Sequence, residues 1–205
     1  DLDETEDIDA VAEIDEDLIR LIEEEPRLAG HLHLSLQAGS DMILKRMKRR
    51  HLTADACRLV ERARAARPDI AFGADLIAGF PTETDAMFEE TLAHVERLGL
   101  AWLHVFPYSP RPGTPAARMP AVGGAIVKAR AARLRDLGRR QTEAYLAAEI
   151  GKTLRPIMET PTRGRTEGFA DIDLDQAQTV ADMPTVRVTG VKDGRLLGRA
   201  LETGH

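Results

Sequence analysis

The sequence predicts an α/β fold over its first three-quarters and a small all-β unit after it. Three observations carry this. Apolar strand patterns near residues 32–36, 70–79 and 101–108 are separated by helical patterns, and such alternation gives parallel strands with right-handed crossovers. The middle pattern, IAFGADLIAGFP, is nearly continuous in apolar residues, as a strand covered on both faces is. From Gly151 the texture changes to short strand candidates joined by turns.

The elements follow in order. Asp15 to Glu25 predicts a short helix with Leu18, Ile19 and Ile22 on one face, stopped by Pro26. In HLHLSLQA, Leu32, Leu34, Leu36 and Ala38 share one face of a strand, and His31, His33, Ser35 and Gln37 share the other. Ser40 is the expected N-cap of a helix through Met47, and Thr53 of another through Ala66. On the second strand Ile70, Phe72, Ala74 and Leu76 share a face; Ala71, Gly73, Asp75, Ile77 and Gly79 form a smaller one. A helix follows, with Thr84 suited to its N-cap and Gly99 to its end. The third strand sets Trp102, His104, Phe106 and Tyr108 against Ala101, Leu103 and Val105. A Pro/Gly-rich loop leads to a long, Arg-rich helix over 125–150. The strand candidates beyond it are TLRPIME, GFADIDL, TVRVTGV and GRLLGRAL, with Lys192-Asp193-Gly194 a hairpin signal. The expected organisation is an acidic disordered tail over 1–13, an α/β unit over 14–150 and a small β-barrel over 151–205.

Charge is unevenly distributed. Residues 1–25 carry thirteen Asp/Glu and one Arg, whereas the remaining 180 residues carry 27 Lys/Arg against 21 Asp/Glu. A basic body is compatible with a polyanionic partner. No apolar run reaches the roughly 18 residues of a membrane span, and nothing resembles a signal peptide, so a cytoplasmic protein without membrane partners is expected. Cys57 is the sole cysteine, which excludes an internal disulfide and a self-contained cysteine metal site; no metal ligand set is expected in this chain.

In parallel α/β structures ligands gather at the carboxyl ends of strands. Those ends are Gln37 to Ser40, Gly79 to Thr82 and Pro107 to Pro110, and the three non-helix faces are positioned to turn toward one interior. From the residues alone, His33 reads equally as a satisfied core histidine, Asp75 as a loop hydrogen-bonder, and Lys45 to Arg50 as a solvated helix face.

Three segments together resemble one family. HLHLSLQAGSDMILKRMKRRH, FGADLIAGFPTET and LHVFPYSPRPGTPAARM, in this order, resemble the second half of the radical domain of the radical S-adenosylmethionine (SAM) tRNA methylthiotransferases, and the wording is most similar to the threonylcarbamoyladenosine branch. The β unit resembles the TRAM domain that ends these enzymes. The resemblance implies the C-terminal half of a partial TIM-type (βα) barrel and two [4Fe–4S] clusters. One cluster cleaves SAM to a 5′-deoxyadenosyl radical, which takes hydrogen from C2 of the modified adenosine at tRNA position 37. A methylthio group is then installed, with the second cluster involved in sulfur delivery.

Carried onto this chain, the resemblance implies cofactor contacts at Ser35 and Gln37 on the first strand, Ile77 and Gly79 on the second, and Phe106, Tyr108 and Ser109 at the end of the third. The family's Gly-x-Ile-x-Gly-x-x-Glu pattern departs here, with Asp75 at the first glycine position and Glu83 one place late. The implied RNA partner, a tRNA anticodon stem-loop, would meet Lys45, Arg46, Lys48, Arg49, Arg50 and Arg111 at the rim and Arg155 and Arg165 on the β unit, with Arg163, Arg187 and Arg195 nearby. The cluster motif Cys-x3-Cys-x2-Cys is absent, so no catalytic residue is expected in this chain, which reads as a C-terminal portion inactive alone. Three exposed parallel strands also imply self-association, pairing with a missing N-terminal half, or cover from residues 1–25. The competing readings are a ribosomal-protein methylthiotransferase of the same superfamily and a non-catalytic RNA-binding fragment.

Overall fold

The computed structural model describes residues 16–201; the acidic tail expected over residues 1–13 lies outside them. Helix α1 (Glu16–Glu24) precedes strand β1 (His31–Gln37), short helix α2 (Asp41–Arg46) and helix α3 (Thr53–Ala66). Strand β2 (Ala71–Ala78), helix α4 (Asp85–Leu98), strand β3 (Trp102–Pro107) and the 26-residue helix α5 (Gly124–Glu149) follow. The three strands form one parallel sheet in the order β1-β2-β3.

All four long helices lie on one face of this sheet. Leu34, Leu36, Phe72, Ala74 and Leu76 point into a buried core with Ile22 of α1, Leu59 and Val60 of α3, Phe88 and Val95 of α4, and Leu134 and Leu137 of α5. The predicted face assignments therefore hold for all three strands. The opposite face carries His33, Asp75, His104, Ile77 and Phe106 and receives no helix. That asymmetry is half of a barrel wall, with the helix layer outside and the interior open.

Helix ends refine the sequence reading. Thr84 caps α4 by accepting from the Met87 N–H at 3.3 Å, and Gly99 ends it at φ 60°, a conformation open to glycine. Thr53 is not an N-cap. It is the first helical residue of α3, and the Asp55 carboxylate accepts the N–H of Leu52, the N-cap, at 2.7 Å. Ser40 occupies the N-cap position of α2 but makes no capping bond; its hydroxyl is buried without a partner. Helix α1 packs on α3, with Arg62 paired to Glu16 at 2.7 Å, so residues 16–24 do not cover a strand edge. Among the described residues no strand pairs with the outer edge of β1 or of β3.

The β unit contains β4 (Thr153–Leu154), β5 (Ile157–Thr160), β6 (Arg163–Arg165), β7 (Asp171–Leu174), β8 (Val186–Lys192) and β9 (Arg195–Ala200). Their order is β4-β8-β9-β7-β6-β5. The two outermost strands are consecutive in the chain, joined by Arg155 and Pro156 alone. Six strands laid flat would set those edges about 24 Å apart. Two linking residues span roughly half of that, so the sheet must curl. Asp193 (φ 50°) and Gly194 (φ 74°) form the β8–β9 hairpin turn, two positive-φ residues in a row as its twist requires.

The core of the β unit includes Leu146 of α5, with Trp102 and Tyr145 packed against it. Trp102 donates to the Gly168 carbonyl at 3.0 Å, Phe169 stacks on His31 with centroids 4.9 Å apart, and Arg67 pairs with Glu167 at 2.6 Å. These contacts fall at the amino ends of β1 and β3 and just before β2. The β unit is thus docked at the end of the strands opposite their carboxyl rim.

Candidate functional site

The site is built at the carboxyl ends of the three strands. Pairing β2 with β1 and β3 in parallel places Gln37 beside Leu76, and Ile77 beside Phe106. Gln37 has φ 67°, and the Ala38 N–H bonds the Leu36 carbonyl at 2.8 Å across it. That is a tight, strained three-residue turn, sparsely populated by any residue other than glycine. It breaks the β1–β2 ladder after Leu34 and leaves Gln37 on the wall of a cavity of about 730 Å³.

Ile77, Phe106, Tyr108 and Ser109 line the same cavity. The backbone N–H of Tyr108 bonds Ala78 at 2.9 Å, extending the β2–β3 pairing, and its ring meets Phe80 edge-on at 5.4 Å. The Tyr108 hydroxyl is buried and has no hydrogen-bond partner, which is costly unless a ligand or water supplies one. The remaining two sequence-predicted cofactor positions are placed differently. Ser35 is half-buried on β1, one pleat away from the lining residues. Gly79 has φ 75°, and a Cβ there would lie 2.5 Å from Val127 of α5. Its N–H is already taken by the Glu83 carboxylate at 3.0 Å.

Glu83, which the family pattern names one place late, and Arg130, which no motif names, brace the site from outside the cavity lining. Arg130 of α5 donates to the Glu83 carboxylate at 2.8 Å, to the Glu83 carbonyl at 3.1 Å and to Asp85 at 2.6 Å. Burial pushes the Glu83 carboxyl upward, against the pull of Arg130 and of the Gly79 N–H. The network pins α5 to the β2–α4 connection and so fixes the cavity's middle rim. A signal was present: Arg130 sits on the same helical stripe as Leu134 and Leu137, an odd place for an unpaired charge.

The basic residues divide into two groups. Arg46, Lys48, Arg49 and Arg111 line the cavity mouth. Arg46 donates to the Thr82 carbonyl at 3.1 Å, and Lys48 adopts φ 60° where α2 ends. Lys45 and Arg50 are exposed on the same segment. The β-unit arginines are elsewhere, at the other end of strands roughly 20 Å long. Arg165 pairs with Glu159 at 2.9 Å and Asp171 at 3.1 Å, Arg195 with Asp171 and Asp173, and Arg163 with Asp173 at 3.3 Å. Arg187 bonds the Gly151 carbonyl, and Arg155 is exposed. The expected RNA contacts are therefore not one surface, and Arg165 is engaged within the fold.

Deeper on the inner face, the Asp75 carboxylate meets His33 Nε2 at 2.8 Å and His104 Nδ1 at 3.2 Å. Asp75 bonds neighbouring strands here, not a loop. His31 stands beside them, its pKa lowered to about 4 by burial first and then by the charges of His33 and His104.

Known proteins are similar to this chain in sequence. The radical SAM superfamily pattern matches residues 7–95. A threonylcarbamoyladenosine tRNA methylthiotransferase (MtaB) of Rickettsia prowazekii is 44% identical over 184 residues, covering 90% of this chain and 44% of that protein. A tRNA-2-methylthio-N(6)-dimethylallyladenosine synthase of Cereibacter sphaeroides is 40% identical over 193 residues, 91% of this chain and 44% of that protein. The chain belongs to the radical SAM tRNA methylthiotransferase family. It spans less than half the length of these two relatives. A solved radical SAM enzyme, coproporphyrinogen III oxidase (HemN) from Escherichia coli, superposes on 69% of this chain and 31% of its own, with TM-score 0.49 and 21% identity.

The cavity suits the organic cofactor that the family's name carries. Ile77 and Phe106 offer apolar surface for a flat base, the unpartnered Tyr108 hydroxyl and the Gln37 amide offer polar contacts, and the rim is cationic. The residues do not suit an iron–sulfur cluster. Cys57 is the one cysteine, it lies on α3 outside the cavity lining, and its sulfur accepts from Arg97 at 2.9 Å.

Proposed function

We propose that this chain forms the SAM-binding wall and substrate rim of a tRNA methylthiotransferase acting at C2 of N6-threonylcarbamoyladenosine in tRNA position 37. The observation that carries the reading is the shared cavity: Gln37, Ile77, Phe106, Tyr108 and Ser109 meet in one space with four cationic side chains at its mouth. Supporting the choice of nucleoside, the relative named for threonylcarbamoyladenosine is 44% identical, against 40% for the relative named for the dimethylallyl substrate.

SAM, once bound, would supply the radical chemistry that removes the C2 hydrogen. This chain's residues would hold the cofactor: Ile77 and Phe106, side by side on adjacent strands, would offer one apolar surface to its base, and Tyr108 and Gln37 would offer polar contacts. Arg46, Lys48, Arg49 and Arg111 meet anticodon-loop phosphates, which positions the substrate without reading its sequence. With Cys57 as their one cysteine, these 205 residues would not themselves supply the cluster thiolates, and the proposed site of action is the cytoplasm. The β unit acts as a TRAM domain that holds RNA at a distance from the chemistry.

The test uses the 205-residue chain with S-adenosylhomocysteine, which needs no cluster, and a modified anticodon stem-loop. Binding of the first should weaken about tenfold in Phe106→Ala, a loss of roughly 1.4 kcal/mol for one exposed aromatic wall that the ligand would cover. The triple change of Lys48, Arg49 and Arg50 to Glu should weaken RNA binding and lower its log–log salt slope by about 2–3. Absence of S-adenosylhomocysteine binding would overturn the cofactor assignment, and unchanged RNA affinity the substrate assignment.

A further inference from the structure

We propose that His33, Asp75 and His104 form a binding site for a divalent first-row transition ion of the zinc type, on the inner sheet face below the cofactor cavity. The residues come from three different strands, 42 and 29 positions apart, so no sequence spacing announces them. The parallel pairing brings them together, with Asp75 directly beside His104 and His33 one strand over.

The geometry is that of a ligand set. One donor atom from each residue, two imidazole nitrogens and a carboxylate oxygen, lies within 4.8 Å of the others. Tetrahedral ligands about 2.0–2.1 Å from a zinc ion stand roughly 3.3 Å from one another. To admit an ion, the observed contacts of 2.8 and 3.2 Å need to open by a few tenths of an ångström, and the two imidazole nitrogens, within 4.8 Å of each other, need to close by up to about 1.5 Å. Two imidazoles and one carboxylate are the donors that zinc, iron and nickel accept. The side chains keep 32, 31 and 62% of their exposure, so an ion held here retains an open coordination position facing the cavity that Asp75 also lines.

Three further observations point to a site built for this purpose. Gly73 lies under the histidines, and a Cβ there would stand 2.6 Å from His33 Nδ1 and 3.2 Å from His31 Nε2. Any larger residue would displace the His33 ring from Asp75. His31 Nε2 is buried without a partner beside the same ring. Asp75 is also the one carboxylate among the described residues lining the cavity, whose rim is otherwise cationic. An uncompensated cation is unwelcome there, and Asp75 offsets one of a divalent ion's two charges. The bound ion would tie β1, β2 and β3 together across the sheet face that has no helix.

The metal site stands independently of the radical chemistry, and its test reads different quantities. Cobalt(II) and zinc(II) are titrated into chelator-treated protein at neutral pH, with visible Co(II) d–d bands, calorimetry and the melting temperature as readouts. One equivalent should bind and raise the melting temperature. His104→Ala, at the most exposed ligand, and Asp75→Asn should each lose about tenfold or more in affinity while the metal-free melting temperature changes little. Gly73→Ala should weaken the metal without removing a ligand. Binding that is absent, exceeds one site without saturation, or persists unchanged in His104→Ala and Asp75→Asn would overturn the site and leave a hydrogen-bonded His–Asp–His triad. S-adenosylhomocysteine binding is measured on the same samples, so loss of the metal site and loss of the cofactor site are distinguishable.

Discussion

Arg130 of α5 donates to the Glu83 carboxylate at 2.8 Å with both side chains almost wholly buried, at 6 and 1% exposure. The pair joins the last helix of the half barrel to the turn that carries Gly79. Removing one partner of such a pair strands the other as a buried charge, which costs about 3–5 kcal/mol. Arg130→Ala is expected to lower the urea midpoint accordingly. The double change Glu83→Gln with Arg130→Met should recover a large part of that loss, because it removes both charges and keeps the volume. A double-mutant cycle by urea unfolding checks the coupling.

Gly79 is expected to reject even alanine. Its φ of 75° and the 2.5 Å approach of Val127 to the space a methyl group would occupy act together. Gly79→Ala should destabilise by about 1–3 kcal/mol. Adding Val127→Ala relieves the clash and leaves the backbone strain, so the double variant should recover part of the loss. Equal stability of wild type and Gly79→Ala in thermal melts would contradict this.

His94 predicts a pH dependence. It is buried on α4, and its pKa is lowered to about 4, by burial first and then by the Arg97 charge, while Asp41 pulls the other way and His51 adds to the depression. The unfolded state, with a histidine near 6.5, binds the proton more readily. Stability therefore falls as pH drops from about 6.5 toward about 4, by up to roughly 1 kcal/mol per pH unit. His94→Gln should flatten urea midpoints measured between about pH 7 and 5.

Gln37 separates stability from function. Its φ of 67° suits glycine, so Gln37→Gly should leave stability within about 1 kcal/mol of wild type or raise it. The same change removes the amide from the cavity wall. S-adenosylhomocysteine affinity should fall while the melting temperature does not.

Arg165 and Lys48 should differ as RNA contacts. Arg165 is held by Glu159 and Asp171 and covers the Phe169 ring at 4.6 Å. Lys48 lines the open mouth of the cavity. Lys48→Ala should weaken anticodon stem-loop binding more than Arg165→Ala does, as measured by fluorescence anisotropy at matched salt.

Much of the half barrel was legible in the sequence. The two-residue alternation of Leu32, Leu34 and Leu36, and the matching pattern at Phe72, Ala74 and Leu76, assigned the helix-covered face correctly. Thr84 and Gly99 marked the ends of α4 because their roles are local: a hydroxyl oxygen for a free N–H, and a residue free to take positive φ. Thr53 carries the same local signal at α3 and does not cap it, because Asp55 reaches back three residues to the Leu52 N–H. The cavity residues were nameable from three matching segments. That Gly79 turns its Cβ direction to Val127 was not, because Val127 is 48 residues away on another element.

By itself, the sequence determined the elements, the face each strand buries, the family and the lack of cluster thiolates among 205 residues. These follow from periodicity, composition and local wording, which need no knowledge of what lies across space. The tertiary structure alone decided that Asp75 joins His33 and His104, that Arg130 neutralises Glu83, and that the β unit docks at the amino ends of the strands, away from the cationic rim. Each depends on strand register or helix placement. A contact between residues tens of positions apart leaves no trace in local pattern, yet it sets where charge is matched and where a ligand fits.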